Sequence, residues 1–570
     1  MKKPTNYIYL IIYILIITIN NHTNAQTWVQ KGIDINGGAM AKKAGHSVSL
    51  SADGHTIAIG APDYSNVLYG GSGSESGRVR IYQWVGGNWT QKGGSIYGSS
   101  SNNSAGSSVS LSANGNILAI GSPRNSTNGL YAGHVRIYEW NGTTWIKKGT
   151  NINGEAAGDL SGGAISLSAD GNSVIIGARL NDGIGIAAGH ARVYEWNGTD
   201  WTQKGVDIDG EATFDEAGQS VSINADGSII AIGAEENSGG IAGFASGHVR
   251  IYQWSGTSWL QKGADIDGEG SGDRSGRAIH LSADGNSIAI GSANNSNSSQ
   301  GFVRIYNWNG TAWIRKGQSL NERPTSSVSL NYDGNRLAIG SVRSINLSLT
   351  GYVRIYSWNG TTWVQEGTDI VGRASNVQSG YSVSLDSLGH TLAIGAIDDY
   401  NNGSGHVQIY TTCHYLDTTV GLSGATLTSN AIGMTYQWID CSNGNSPITG
   451  ATQQSFTPTT NGLYAVEISN GVCTKTSACT NVTAVKVSVI ESQNKYRIFP
   501  NPSTDILHIE RTNSTNLNIR VVDNLGQIVL SSRSNKTRAT LNLQRLKQGV
   551  YYLVLDDGKE ITYHKFITTK

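Results

Sequence analysis

The stretch GHVRIYEWNGTTWIKKG, residues 133–149, decides the fold. Close copies of its first half stand at Gly77 (GRVRIYQW), Gly189 (GHARVYEW), Gly247 (GHVRIYQW), Gly301 (GFVRIYNW), Gly351 (GYVRIYSW) and Gly405 (GHVQIY), at intervals of 56, 56, 58, 54, 50 and 54 residues. Repetition at such a period marks a solenoid or a propeller. Upstream, SVSLS (108–112) and ILAIG (117–121) form two alternating runs joined by ANG (113–115), and downstream HVRIYEW and TWIKKGTNI flank Asn-Gly-Thr. β-Branched and aromatic residues in this pattern read as strands. Asn-Gly and Asp-Gly supply the positive φ of tight hairpins. The first hairpin recurs at Asp53-Gly54, Asp170-Gly171, Asp226-Gly227, Asp284-Gly285 and Asp333-Gly334, while the seventh copy, Ser387-Leu388-Gly389, keeps only the glycine. Each unit is expected to be a four-stranded antiparallel meander, with no helical period between units.

The ends of the array argue for closure. WVQKGIDI at Trp28 reads as a fourth strand without the first three, whereas SVSLDS, TLAIGA and HVQIY, ending at Tyr410, read as three strands without a fourth. Together they complete one unit, as in a ring whose first strand finishes its last sheet and leaves few open edges. An open solenoid would instead carry polar capping repeats. The expected fold is all-β: a seven-bladed β-propeller over residues 26–411 followed by two small β-sandwich domains, at 412–490 and 496–570. The recurrent VRIY is then a third strand whose alternate side chains face different neighbouring blades. Arg136 and its equivalents Arg80, Arg192, Arg250, Arg304 and Arg354 share a strand face with the Tyr and Trp that follow.

Composition narrows the function. Lys+Arg and Asp+Glu balance at 41 each, which argues against a nucleic-acid binder, whose affinity rests on clustered cations. The opening MKK, the apolar run YIYLIIYILIITI and the small residue before Gln26 read as a secretory signal peptide over 1–25. The apolar run is shorter than the roughly 20 residues of a spanning helix, and no transmembrane anchor is expected in the mature chain. The four cysteines, Cys413, Cys441, Cys473 and Cys479, lie in one short segment. In an exported chain that reads as two disulfides, with three pairings open.

From Gly45 to Pro62 the pattern G-x-S-V-S-L-S-x-D-G followed by A-I-G-A-P resembles the FG-GAP repeat of integrin α-chain propellers and their bacterial relatives. The Trp-x-x-Lys-Gly and Gly-x-Val-Arg-Ile-Tyr-x-Trp signatures are closer to the bacterial branch. The resemblance implies the propeller and leaves function open. Calcium loops of the family carry D-x-D-x-D-G between the first two strands. Here that connection is S-A-D-G, with one carboxylate where six to eight oxygen ligands are needed. No calcium site, other metal or cofactor is expected.

The tight turns join strands one to two and three to four and must share one face of the ring. The longer connections, such as 61–76 and 235–246, occupy the other, and variable loops on a rigid scaffold are where recognition sits. Within them NGEAAGD (Glu155, Asp159), DGEATFDE (Glu211, Asp215, Glu216) and DGEGSGD (Glu269, Asp273) recur in consecutive repeats. They read either as a rim for a cation, a basic group or a sugar, or as solvated and turn-capping acids. His134, His190, His248 and His406 each precede a third strand, on different blades and too far apart to share one ion. His280 replaces the serine of SVSLS on a strand near the axis and reads either as a base or as a packed residue. No nucleophile elbow, zinc signature or phosphate loop appears.

After Tyr410 the repeat stops. Residues 412–490 resemble the immunoglobulin-like or PKD-like modules of exported bacterial proteins, with Trp438 in the core. Residues 496–570 begin YRIFPNPSTDILHIE and resemble the C-terminal sorting domain of the type IX secretion system. The matching positions are Phe499, Pro500, Asn501 and Pro502, Asp523 and Gly526, Leu546, Gly549, Val550 and Tyr551, then Lys565-Phe566. That resemblance implies the type IX machinery as a partner and the exterior or outer surface of a Gram-negative cell as the destination. The function expected is binding or adhesion to an extracellular glycan or protein, without catalysis. The alternatives are a polysaccharide- or glycoprotein-degrading enzyme acting in the channel, and a structural surface-layer component.

Overall fold

In a computed structural model of the chain, residues 28–38, 43–63, 76–239, 243–293, 301–342, 350–398, 403–413, 416–483 and 495–569 are described. The expected signal peptide and parts of the loops 61–76 and 235–246 lie outside them. Among the described residues no helix is long and apolar enough to cross a membrane.

The quoted stretch lies in a sheet built from Ser108–Leu111, Ile117–Ser122, His134–Trp140, Trp145–Lys147 and Ile152–Asn153. Six further sheets repeat this order, with inner strands at 47–50, 164–167, 220–223, 278–281, 327–330 and 379–385. We number the seven in chain order from the one at 47–50. The fourth strand of the meander is split in two, which the pattern did not reveal. Trp145–Lys147 and Ile152–Asn153 both pair with His134–Trp140, and the break falls at Lys148-Gly149. The lysine leaves the sheet there to enter the next one. The glycine follows at φ 75°, and a Cβ there would also meet Asp200, Trp196 and Trp201.

Closure is explicit. Trp28 pairs with Thr412 and Ile35 with Val407, so the first strands finish the seventh sheet. Two rings of hydrogen bonds confirm the circle. In one, the amide of Leu111 donates to Ser49 Oγ, Leu167 to Ser110, Ile223 to Ser166, Leu281 to Ser222, Leu330 to His280 Nδ1, Leu385 to Ser329 and Leu50 to Ser384. In the other, backbone amides donate to the next sheet's carbonyls in the order Ala52, Ala113, Ala169, Ala225, Ala283, Tyr332, Ser387 and back to Ala52.

Between sheets the core is continuous. Val135 and Ile137 pack with Ile165, Leu167 and Ile176 of the sheet ahead, while Tyr138 and Trp140 join Val79 and Ile81 of the sheet behind. The Trp-x-x-Lys-Gly signature is an inter-sheet staple. Lys148 Nζ lies 5.0 Å from the Trp196 ring and 5.9 Å from the Trp201 ring, and Trp201 Nε1 donates to Lys148 O. Cation–π contacts of this kind contribute about 0.5–2 kcal/mol each. The glycine of ILAIG is needed for close approach, since a Cβ on Gly121 would stand 2.0 Å from Gly162 O.

Past the ring, strands 420–423, 426–429 and 455–456 face a second sheet of strands within 435–482, and Trp438 fills the core between them. Disulfides join Cys441 to Cys479 within this unit and Cys413, which follows the last ring strand, to Cys473. The terminal unit sets Tyr496–Phe499, Ile506–Arg511 and Arg538–Asn542 against a four-stranded sheet of Leu517–Val522, Ile528–Ser534, Gly549–Asp556 and Ile561–Thr568, around Leu507, Leu553 and Phe566.

Candidate functional site

On the long-loop face the connections of consecutive repeats brace one another. The amides of Gly158 and Leu160 donate to Leu130 O and Tyr131 O. Those of Phe214 and Glu216 donate to Ile186 O and Ala187 O, and those of Gly272 and Arg274 to Phe244 O and Ala245 O. Each pairing holds at least two non-glycine residues at positive φ, such as Ala187 at 48° and Glu216 at 53°. Such backbone costs on the order of 1 kcal/mol or more and persists where the surroundings impose it. The described segments that make these bonds are therefore braced, and the same loops carry Leu130, Ile184, Ile186, Phe214 and Phe244 exposed to solvent. A cleft of about 580 Å³ is lined by residues 211–216 on one side and by residues 236–239 and Phe244 on the other, with Phe214, Glu211, Glu216 and Glu236 among them.

The recurrent acids separate into two roles. Asp159, Asp215 and Asp273 are buried, and each accepts two amides of its own loop, as Asp159 does from Glu155 and Ala156. Glu155, Glu211 and Glu269 reach across to the next sheet. Glu155 lies beside Arg192 and His190, Glu211 beside Arg250 and His248, and Glu269 beside Arg304 and Arg315. The third-strand arginines are bonded to the sheet behind them. Arg80 donates to Asn36 O, Arg136 to Tyr97 O, Arg192 to Asn153 O and Arg250 to Asp209 O, while Arg354 pairs with Glu322 and Asp369.

The axial channel is lined by the serines and leucines of the inner strands and by His280. Burial pulls the His280 pKa down to about 4. Its Nδ1 accepts the Leu330 amide, so the ring is neutral with its remaining proton on Nε2.

Another pocket escaped the sequence reading. At the tight-turn end, between the sixth and seventh sheets, about 550 Å³ is lined by Tyr332, Arg336, Trp358, Glu366, Leu388 and His390 among others. Here the staple is replaced. Glu366 stands where the other sheets have lysine and pairs with Arg336, whose guanidinium also lies over Trp28. Thr412 stands where they have the first tryptophan. Burial and the Arg336 charge bring His390 down to about 4. The signal was available in the repeat pattern, because Tyr332, Arg336, Glu366, Leu388 and Thr412 all depart from it in one wedge.

In the terminal unit the sorting-motif residues pin the unit's two ends together. Asn501 Oδ1 accepts the Ile567 amide and its Nδ2 donates to Lys565 O. Asp523 accepts the amides of Leu525 and Gln527 around Gly526, which lies at φ 80°. Tyr551 stacks on Phe566.

No curated protein matches the chain. Among solved structures, a candidate 6-phosphogluconolactonase from Bacteroides uniformis aligns with a TM-score of 0.40 at 13% identity, covering 58% of this chain and 86% of that one. Residues 497–569 match the secretion system C-terminal sorting domain. Residues 497–569, in which the FPNP segment grips the terminal strand, thus form a type IX sorting domain, and the protein is secreted or displayed at the outer cell surface.

Proposed function

We propose that this FG-GAP-like propeller is a binding protein, presenting the long-loop face of its second to fourth repeats to an extracellular protein partner. The observation that carries the reading is apolar exposure on loops already braced in one shape. Leu130 is 65% exposed, Ile186 64%, Phe214 60% and Phe244 77%. Apolar groups held rigidly in water are typical of surfaces kept for a partner, and prior ordering lowers the entropy lost on association. The exposed aliphatic side chains of Leu130, Ile184 and Ile186 favour the apolar side chains of a polypeptide over the hydroxyl-rich surface of a glycan. Glu216 and Glu236 at the cleft are already paired with Arg179 and Arg274, so the apolar side chains supply the contact expected there. Catalysis plays no part in this reading.

The mature chain, screened on an array of extracellular proteins and glycans, should retain a protein. The double variant Phe214→Ser, Phe244→Ser should lose at least tenfold in affinity with unchanged thermal stability, since anchor residues dominate such interfaces. Undiminished binding by this variant would refute the assignment of the face. A second reading, hydrolysis of a polysaccharide or glycoprotein, is favoured by one observation, the unlike residues converging between the sixth and seventh sheets. Turnover on a hydrolase panel, lost in His390→Ala, would establish it instead.

A further inference from the structure

Each third strand of the ring begins beside the outer strand of its own sheet and the loop arriving from the sheet before. Between the second and third sheets this brings together His190, Glu155 and Asp207. One junction further on, it brings together His248, Glu211 and Asp265. In both triads Nδ1 of the imidazole and one oxygen of each carboxylate lie within 4.8 Å of one another. His190 Nδ1 is 3.9 Å from Glu155 Oε2 and 3.7 Å from Asp207 Oδ2. His248 Nδ1 is 3.8 Å from Glu211 Oε2 and 3.8 Å from Asp265 Oδ2. These separations are too long for hydrogen bonds, but they leave room at the centre for an ion at roughly 2–2.5 Å from each donor.

The carboxylates are aimed. Gln203 Nε2 donates to Asp207 Oδ1 and Gln261 Nε2 to Asp265 Oδ1, both at 2.6 Å. Arg192 Nη1 stands 3.2 Å from Glu155 Oε1, and Arg250 Nη1 3.7 Å from Glu211 Oε1. Each acid therefore has one oxygen directed at the protein and turns the other toward the imidazole.

The imidazoles supply an independent observation. His190 and His248 are each 1% exposed. Among the described residues neither ring makes a hydrogen bond, and their Nε2 atoms are buried without a partner. A buried ring with no hydrogen bond, whose Nδ1 faces a glutamate and an aspartate oxygen, is a donor set lacking its acceptor. The fifth sheet offers an internal contrast. Phe302 replaces the histidine and Ser319 the aspartate together, and Glu269, besides the equivalent arginine Arg304, pairs with Arg315 instead of an imidazole.

We propose that the two triads are equivalent sites for a divalent transition-metal ion of the Zn²⁺ or Mn²⁺ class, each held by one histidine, one glutamate and one aspartate, with water completing the shell. Mixed imidazole and carboxylate donors suit these ions, whereas calcium prefers oxygen alone. Two carboxylates against one guanidinium keep each site negative. Because the glutamate comes from one sheet and the other ligands from the next, a bound ion ties adjacent sheets together. The proposal does not rest on the partner-binding reading.

The test uses the full mature chain, stripped with chelator and titrated separately with Zn²⁺, Mn²⁺ and Ca²⁺ by calorimetry, with metal content measured after dialysis. Two equivalents of Zn²⁺ or Mn²⁺ are expected. Asp265→Asn should leave one and the pair Asp207→Asn, Asp265→Asn none, with far-UV circular dichroism unchanged. The ion should also raise the melting temperature of the native chain and not that of the double variant. Absence of binding, a stoichiometry indifferent to these substitutions, or binding of Ca²⁺ alone would overturn it.

Discussion

His280 stands where the other six repeats carry serine, and it accepts the same inter-sheet amide that the serines accept. Its cost is acid sensitivity. The folded ring titrates near 4 because it is buried, whereas an unfolded histidine titrates near 6.5. Between these values the unfolded chain binds the extra proton, so stability is complete above about pH 6.5 and declines as pH falls toward 4. His280→Ser should remove this component. In urea titrations at pH 7 and 4.5, the native chain should lose on the order of 2 kcal/mol more than the variant across that interval. An equal loss in both would show that His280 is not the titrating group. His46, drawn down to about 4 by burial, acts in the same window and is unaffected by the substitution, so the comparison isolates one ring.

At the scale of the element, the strand is short and its neighbours do most of the stabilising. Gly121→Ala would drive a methyl group against Gly162 O, and a cost of about 3 kcal/mol or more is expected from overpacking at an interface that cannot move apart. Gly142→Ala, at a turn with φ 99° and open space around it, should cost only about 1 kcal/mol of backbone strain. Chemical denaturation midpoints of the two variants would settle the ranking. The meander, its hairpins and its closure were legible in the sequence because they rest on local alternation, Asp-Gly turns and two orphaned ends. The split fourth strand was not, because Lys148 leaves its sheet only to meet Trp196 and Trp201, about 50 residues further on. The same distance hid the candidate sites. Asp159 caps its own loop and could be read locally, whereas Glu155 meets His190 only when two sheets are laid side by side. The wedge around Arg336 and Glu366 was hidden in another way, since each departure looks like ordinary drift until the seven repeats are superposed.

For the whole molecule, the ring depends on a contact between its ends. A chain from which residues 1–36 are removed exposes the edge of His406–Thr412 and strips Trp28 from Arg336. It should melt about 10 °C lower or more and self-associate through the open edge, and a peptide spanning residues 26–38 should restore a monomer in size-exclusion chromatography. Beyond the ring, the Cys413–Cys473 bond fastens the middle unit to the last ring strand. Replacing both cysteines with serine should speed proteolytic release of the C-terminal units while leaving the melting of the ring within about 2 °C. The collar of seven amides from Ala52 to Ser387 has an electrical corollary. Its peptide dipoles follow one another head to tail around a circle, so their components along the axis are small and their tangential components cancel, unlike the additive dipoles of a helix. The collar itself therefore presents little net field to an ion arriving at that mouth, in contrast to the end of a helix.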